Sequence, residues 1–223
     1  MTLDTGQRVA DVALDHPECV PIFQKHRIDF CCGGKATLAE ASLGSDLPPT
    51  QLVHELEEAI AERARSPDAD PRTMDTAALV ELIVTRYHHY LRQALPVVQG
   101  LATKVARVHG EHNPRLVTLS AAVNELAETL SVHIDEEERA LFPALTANHE
   151  AALVREDVLA MEQEHQAVGK LLGKIRSAAE DFHAPDWACT SYRTLFSELE
   201  TLEEDVKLHV HLENNVLAPR FIG

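Results

Sequence analysis

Two copies of one pattern, a lone histidine followed at a fixed distance by H-x-x-x-E, limit what this chain can fold into more than any other feature. The first copy is His88 with His133 and Glu137, 45 and 49 residues on; the second is His165 with His209 and Glu213, 44 and 48 residues on. Leucine and proline follow each H-x-x-x-E at equal offsets, Leu141 and Pro143 in one copy and Leu217 and Pro219 in the other. From His88 to a turn near Arg107 is 19 residues, about 29 Å of helix, and from Arg115 on to His133 is 18 residues, about 27 Å. Antiparallel helices joined by short turns therefore return both histidines to one level. Repeating that arrangement brings four imidazoles and two carboxylates together, the donor set of one dinuclear metal centre.

Composition supports helices. Glycine is sparse (9 of 223 residues), aromatics are 4 %, and alanine, leucine and glutamate are abundant, so an all-α fold is expected. Four long helices are read at about 76–108, 115–142, 151–181 and 189–216. Turn signals separate them at Gly110–Pro114, Pro143–Asn148 and His183–Asp186, and Pro96 should kink the first. Short connections imply an up-down-up-down four-helix bundle over 76–223. The SPDADPR stretch from Ser66 to Arg72 reads as a linker, placed at 66–75, after a small helical module at 1–65. That module contains apolar-periodic pieces near Val9–Leu14, Pro21–Phe30 and Leu38–Leu43, a Cys31-Cys32-Gly33-Gly34 corner, and a helix N-capped by Thr50 that runs to about Ala64.

Thirteen histidines are present, and helical neighbours sort them. His88 shares a stripe with Val84, Leu91 and Leu95, whereas His89 lies among Thr85, Arg86, Arg92 and Gln93. His133 sits with Leu126, Leu130 and Ala140, His165 with Val158, Met161, Val168 and Leu172, and His209 with Leu202, Val206 and Val216. These four point inward. His211, among Lys207, Asn214 and Asn215, is expected to be solvated, and His109 and His112 fall at a helix end about 30 Å from the ligand level. Burying six such groups without a cation would cost several kcal/mol, about what a hydrogen-bonded network of the same residues would have to offset. Glu128, Glu136, Glu138 and Glu164 lie near the ligands in sequence and are read as a solvated acidic face, with support of the ligands as the other role.

Two histidines per metal, with Glu137 and Glu213 bridging and an oxide or hydroxide completing the bridge, leave each metal about five-coordinate with room for a small ligand. Iron is the expected metal, since zinc favours four-coordinate sites, often with thiolates. E-x-x-H ferritin-like centres are richer in carboxylate, so this donor set favours binding or reduction of small diatomics over oxygenase chemistry.

Cys31 and Cys32, with His26, Arg27 and Lys35 nearby and a Gly-Gly turn that would open a helix, are expected to have lowered thiol pKa values. They would donate electrons, hold an iron in transit or form mixed disulfides; packing at a tight turn is the plain alternative. Cys19 and Cys189 lack this context and read as structural. The formal net charge of −16 disfavours nucleic acid as a partner, and no run of about 18 apolar residues suggests a membrane span. The N-terminus shows no signal-peptide pattern, and the cysteine usage fits a reducing cytoplasm.

Arg86-Tyr87-His88, the HIDEE run from His133 to Glu137, Glu164-His165 and the HVHLENN run from His209 to Asn215 resemble a hemerythrin-like domain. The FCCGGK run from Phe30 to Lys35 resembles the short module preceding that domain in the di-iron iron-sulfur cluster repair (repair of iron centres) family. The resemblance covers essentially the whole chain. It implies two non-haem irons held by His88, His133, Glu137, His165, His209 and Glu213, a cytoplasmic homodimer, and a role in recovery from nitrosative and oxidative stress. The extra histidine and aspartate bridge of oxygen-carrying hemerythrins are missing, which argues against oxygen transport.

The expected function is repair of iron-sulfur proteins, by iron donation, by reduction of nitric oxide at the di-iron centre, or by both, with Cys31 and Cys32 re-reducing the centre or accepting its iron. The rival of another class is an O2- or NO-binding sensor or iron store without turnover, and a metal-free interaction bundle is a third possibility.

Overall fold

The computed structural model describes residues 3–45, 47–62, 70–147 and 151–222. Among them the chain is helical, with one isolated antiparallel bridge between Arg8 and Thr37 and no strand. It divides into two compact units, Met1–Asp75 with Val210–Arg220, and Thr76–His209 with Phe221–Gly223. The first part of the expected linker, Ser66–Ala69, lies outside the described residues, as do Ala64 and Asn148.

The first unit contains α1 (Val9–Asp15), α2 (Val20–Lys25), α3 (Leu38–Leu43) and α4 (Pro49–Glu62). A reciprocal cap starts α3: the Glu40 amide donates to Thr37 Oγ1 at 3.2 Å, and the Thr37 amide donates to Glu40 Oε2 at 2.8 Å. The helix α4 begins at Pro49, so Thr50 lies inside its first turn and is not the N-cap; a proline at N1 gives up only an amide that has no helical partner there. Glu55 of α4 accepts from both Lys25 Nζ at 2.8 Å and His26 at 2.7 Å, tying α4 to the end of α2. Those two partners hold the Glu55 carboxyl down at about 2.

In the second unit α5 (Thr76–Leu82) continues through a π turn, Ile83–His88, into α6 (His89–His109). The next helix, α7 (Arg115–Glu136), passes through a π turn at Glu137–Leu141 into α8 (Phe142–Thr146). Then come α9 (Ala151–Ala178) and α10 (Thr190–Leu212), the latter continuing through a π turn at Glu213–Leu217 to α11 (Pro219–Ile222), with Val210–Arg220 belonging to the first unit. Paired contacts run in opposite directions along successive helices. Arg92–Asp135 and Gln99–Asn124 join α6 to α7, and Lys174–Glu125 and His133–Glu164 join α7 to α9. Arg176–Glu203 joins α9 to α10, and Lys104–Ser191 joins α10 back to α6. The four long helices thus close into the expected antiparallel bundle.

The π turns are absent from the sequence reading, and two have a legible cause. Proline lacks an amide hydrogen and its ring crowds the carbonyl four residues earlier, so the turn before it relaxes to a wider spacing. Pro143 and Pro219 each stand two residues beyond such a turn. In the last one the Ala218 amide reaches back five residues to Glu213 O at 2.7 Å. No equivalent proline follows His88. Each π turn begins or ends at a ligand position: His88 closes the first, and Glu137 and Glu213 open the others.

Candidate metal centre

All six expected ligands are buried, His88, His165, His209 and Glu213 with no exposed surface and His133 and Glu137 with 3 %. They form two groups, His88, Glu137, His209 and Glu213, and His133, Glu137, His165 and Glu213. Within each group the candidate ligand atoms lie within 4.8 Å of one another. Both groups share both glutamates, and the histidine pairs cross the sequence repeats: each takes the lone histidine of one copy and the H-x-x-x-E histidine of the other.

The Nε2 atoms of His88 and His209 are 3.1 Å apart, and those of His165 and His133 are 3.0 Å apart. Two cis ligands at about 2.1 Å from an octahedral cation stand about 3.0 Å apart, against about 3.4 Å around a tetrahedral one. Each imidazole pair is therefore close enough to bind one shared cation. Glu137 reaches one histidine of each group, its Oε2 3.4 Å from His88 Nε2 and its Oε1 3.3 Å from His133 Nε2. The donor chemistry and the spacing both suit two metal ions.

Around these ligands stands a layer that the sequence reading undervalued. Glu138 accepts from His88 Nδ1 at 2.9 Å, and Glu164 accepts from His133 Nδ1 at 2.7 Å. A carboxylate on Nδ1 fixes the proton there and leaves the Nε2 lone pair facing the site. Glu138 also pairs with Arg92 at 3.2 Å. Glu128 and Glu136 are exposed, as the acidic-face reading expects. No residue spacing along one helix reveals the other two, because each acts across a helix pair; only the antiparallel register between α7 and its neighbours would have. Phe142 stacks on the His88 ring, centroids 5.6 Å apart, and Tyr87 stacks on His209 at 6.1 Å.

Residues 79–221 match the model of the Hemerythrin HHE cation binding domain, and residues 5–60 match a Domain of Unknown function (DUF542). An iron-sulfur cluster repair protein YtfE of Yersinia pseudotuberculosis is 33 % identical over 215 residues, 96 % of each chain. The protein of that name from Shigella boydii is 34 % identical over 218 residues, 97 % of each. The chain belongs to the iron-sulfur cluster repair protein family.

In this family member the Cys-Cys-Gly-Gly corner differs from expectation. The cysteines precede α3 by several residues, so the Gly-Gly turn does not open a helix directly after them. The hydrogen-bonded Cys32 thiol first, then burial and the Asp29 carboxylate, push the Cys31 thiol well above its ordinary range. The expected lowering of the Cys31 pKa is therefore wrong. Gly34 is required sterically, since a Cβ there would meet Phe30 O at 2.6 Å and Ala10 Cβ at 2.7 Å. Cys19 is buried with its thiol pushed up to about 12, as a structural residue should be, and Cys189 is exposed, 3.2 Å from His109 Nε2.

His211 is a second correction. Only 2 % exposed, it shares hydrogen-bond distance of 2.9 Å between Nδ1 and Phe30 O and packs edge-on against the Phe30 ring. Asn214 and Asn215 each donate to Cys31 O at 3.2 Å. The face that looked solvated in an isolated bundle helix belongs to the first unit, a tertiary pairing that periodicity within one helix does not report. Burial drops the His211 pKa to about 4. Among the described residues no helix is long and apolar enough to cross a membrane.

Proposed function

We propose that this chain holds two iron ions in the buried centre and uses them to restore damaged iron-sulfur clusters in other proteins of the cytoplasm. His88 with His209 and His133 with His165 would hold one ion each, with Glu137 and Glu213 bridging and an oxide or hydroxide completing the bridge. The single observation that carries this reading is the pair of buried four-ligand groups sharing both carboxylates. The names of the relatives supply the client class, iron-sulfur proteins.

When bound, two ferrous ions supply one electron each, the number consumed when two NO and two protons become nitrous oxide and water, and they are themselves the metal a stripped cluster needs. The chain's own contribution is positional. Glu138 and Glu164 hold protons on Nδ1 of His88 and His133 and so keep the Nε2 atoms available, while Phe142 and Tyr87 cover imidazole faces. Iron donation and NO reduction both draw on this centre, with Cys31 and Cys32 proposed as the thiols that re-reduce it or receive its iron.

Metal analysis of the purified protein tests the foundation: two irons per chain are expected, falling in Glu137→Gln and Glu213→Gln variants, and full occupancy in both variants would refute the ligand assignment. Incubation of the ferrous protein with an apo-ferredoxin should restore cluster absorbance if donation operates. Anaerobic NO with headspace analysis should yield nitrous oxide if reduction operates. Stable iron-nitrosyl species with neither outcome would point to a sensor or store.

A further inference from the structure

Among the described residues, one other cluster outside the buried centre carries metal-binding chemistry. Asp29, Cys31 and Cys32 bring a carboxylate and two thiols within 4.8 Å of one another. The two sulfurs are 3.6 Å apart, and Cys31 Sγ is 3.3 Å from Asp29 Oδ1. Two thiolates at about 2.3 Å from one tetrahedral cation stand about 3.8 Å apart, and a thiolate and a carboxylate oxygen about 3.6 Å. The measured separations approach those edges. They are far from the roughly 2.05 Å of a disulfide, for which adjacent residues are poorly placed.

The corner is held rather than loose. Phe30 O lies 2.9 Å from Nδ1 of the buried His211, and Cys31 O accepts from Asn214 and Asn215, so three side chains of one helical segment fix its carbonyls. Asp29 Oδ1 accepts the amides of Cys31 at 3.0 Å and Cys32 at 2.8 Å, which aims the carboxylate at the thiols. Cys31 is buried, Cys32 half-buried and Asp29 exposed, so the cluster has a solvent side.

We propose that Asp29, Cys31 and Cys32 form a second metal site for a single thiophilic divalent cation, such as Fe2+ or Zn2+, with an exchangeable fourth ligand. On binding, each thiol releases its proton to solvent, and the cation takes the place of the hydrogens now shared between the two sulfurs and between Cys31 and Asp29. No electron is transferred. Three protein ligands and an open fourth position make a site that loads and unloads, unlike the closed four-ligand sites that stabilise small domains. The site stands on its own geometry and does not depend on the iron-handling role of the buried centre; if that role holds, this corner is suited to receive iron as cargo.

Zinc is the probe, because its absorption edge is separate from that of iron. The reduced, iron-loaded full-length protein is equilibrated with Zn2+, desalted and examined by zinc K-edge X-ray absorption. One zinc per chain with two sulfur neighbours at about 2.3 Å is expected. Cys32→Ser, at the half-buried position, should reduce retained zinc to background without changing the circular dichroism or the iron content. Asp29→Asn should keep both sulfurs but lose zinc faster to a chelator. Cys189→Ser should change nothing, which excludes the exposed Cys189–His109 pair. Failure to retain zinc, zinc with only nitrogen and oxygen neighbours, or undiminished zinc in Cys32→Ser would each overturn the proposal.

Discussion

Removing the carboxylate from the outer nitrogen of one ligand histidine should loosen one metal ion and leave the other in place. Glu164 meets His133 Nδ1 at 2.7 Å, and Glu138 meets His88 Nδ1 at 2.9 Å. His133 belongs with His165 in one group, and His88 with His209 in the other. Loss of such a partner costs about 10–100-fold in metal affinity. Both carboxylates keep water contact, with side-chain exposures of 48 % for Glu164 and 31 % for Glu138, so water replaces part of the lost interaction. The lower end is expected, about tenfold or about 1.4 kcal/mol for Ala at either position. Gln should cost less, because its amide oxygen still accepts from Nδ1 and only the charge is gone. The assay is release of ferrous iron to a coloured chelator under anaerobic stopped flow. Wild type should lose its iron slowly, whereas Glu164→Ala and Glu138→Ala should each show a fast phase of one iron per chain. Acceleration of both irons equally in either variant, or unchanged release in both, would refute the argument that each carboxylate serves one group.

Three further outcomes follow from the packing. Glu55 has its carboxyl depressed to about 2 from an ordinary 4.5, by His26 first and Lys25 next. Its contribution is therefore complete above about pH 4.5 and disappears as pH falls toward 2. Glu55→Gln should melt lower than wild type at pH 7 and together with it near pH 2; an equal gap at both would contradict this. His211→Ala should destabilise the protein by about 1–3 kcal/mol in urea denaturation, since it leaves buried Phe30 O without its imidazole partner. Pro143→Ala restores a backbone amide and lets the preceding turn close with ordinary α spacing, relieving a proline penalty of about 3 kcal/mol. The iron-free protein should then melt no lower than wild type, while iron retention falls because Phe142 turns away from His88; the opposite pair of results would show that the π turn serves stability alone.

The helical fold and the burial of the six candidate residues were legible because both show in the periodicity of individual helices. Val84, Leu91 and Leu95 mark the buried side of His88 whatever the neighbouring helix contains. What stayed hidden depends on register between helices. Glu138 and Glu164 reach histidines on other helices, and nothing in their own surroundings separates them from exposed Glu128 and Glu136. His211 misled because its polar neighbours Asn214 and Asn215 suggested water, when their amides donate to Cys31 O. The π turns fall between these cases: Leu-x-Pro recurs after each H-x-x-x-E, and its effect on helical spacing follows from proline's missing amide. The Cys31 pKa was misjudged because sequence neighbours stood in for spatial ones.

The two copies keep the same candidate ligands but differ one residue further on, and the differing residues have different partners. Glu138 follows Glu137, and at the equivalent place Asn214 follows Glu213. The first places a carboxylate on His88; the second fixes the carbonyl of Cys31. Likewise Glu164, preceding His165, holds His133, while Tyr87, preceding His88, stacks on His209. Both histidines of the first copy thus carry a carboxylate on Nδ1. Because the groups take one histidine from each copy, each group contains one of them, so unlike flanks still leave each group with one carboxylate-supported histidine. Interlocking frees the second copy's helix, through His211, Asn214 and Asn215, to fix the corner that presents Cys31 and Cys32. Exchanging Asn214 for glutamate would copy the first flank but put a carboxylate where an amide now donates to Cys31 O. Its expected result is a disturbed cysteine corner with the buried iron retained.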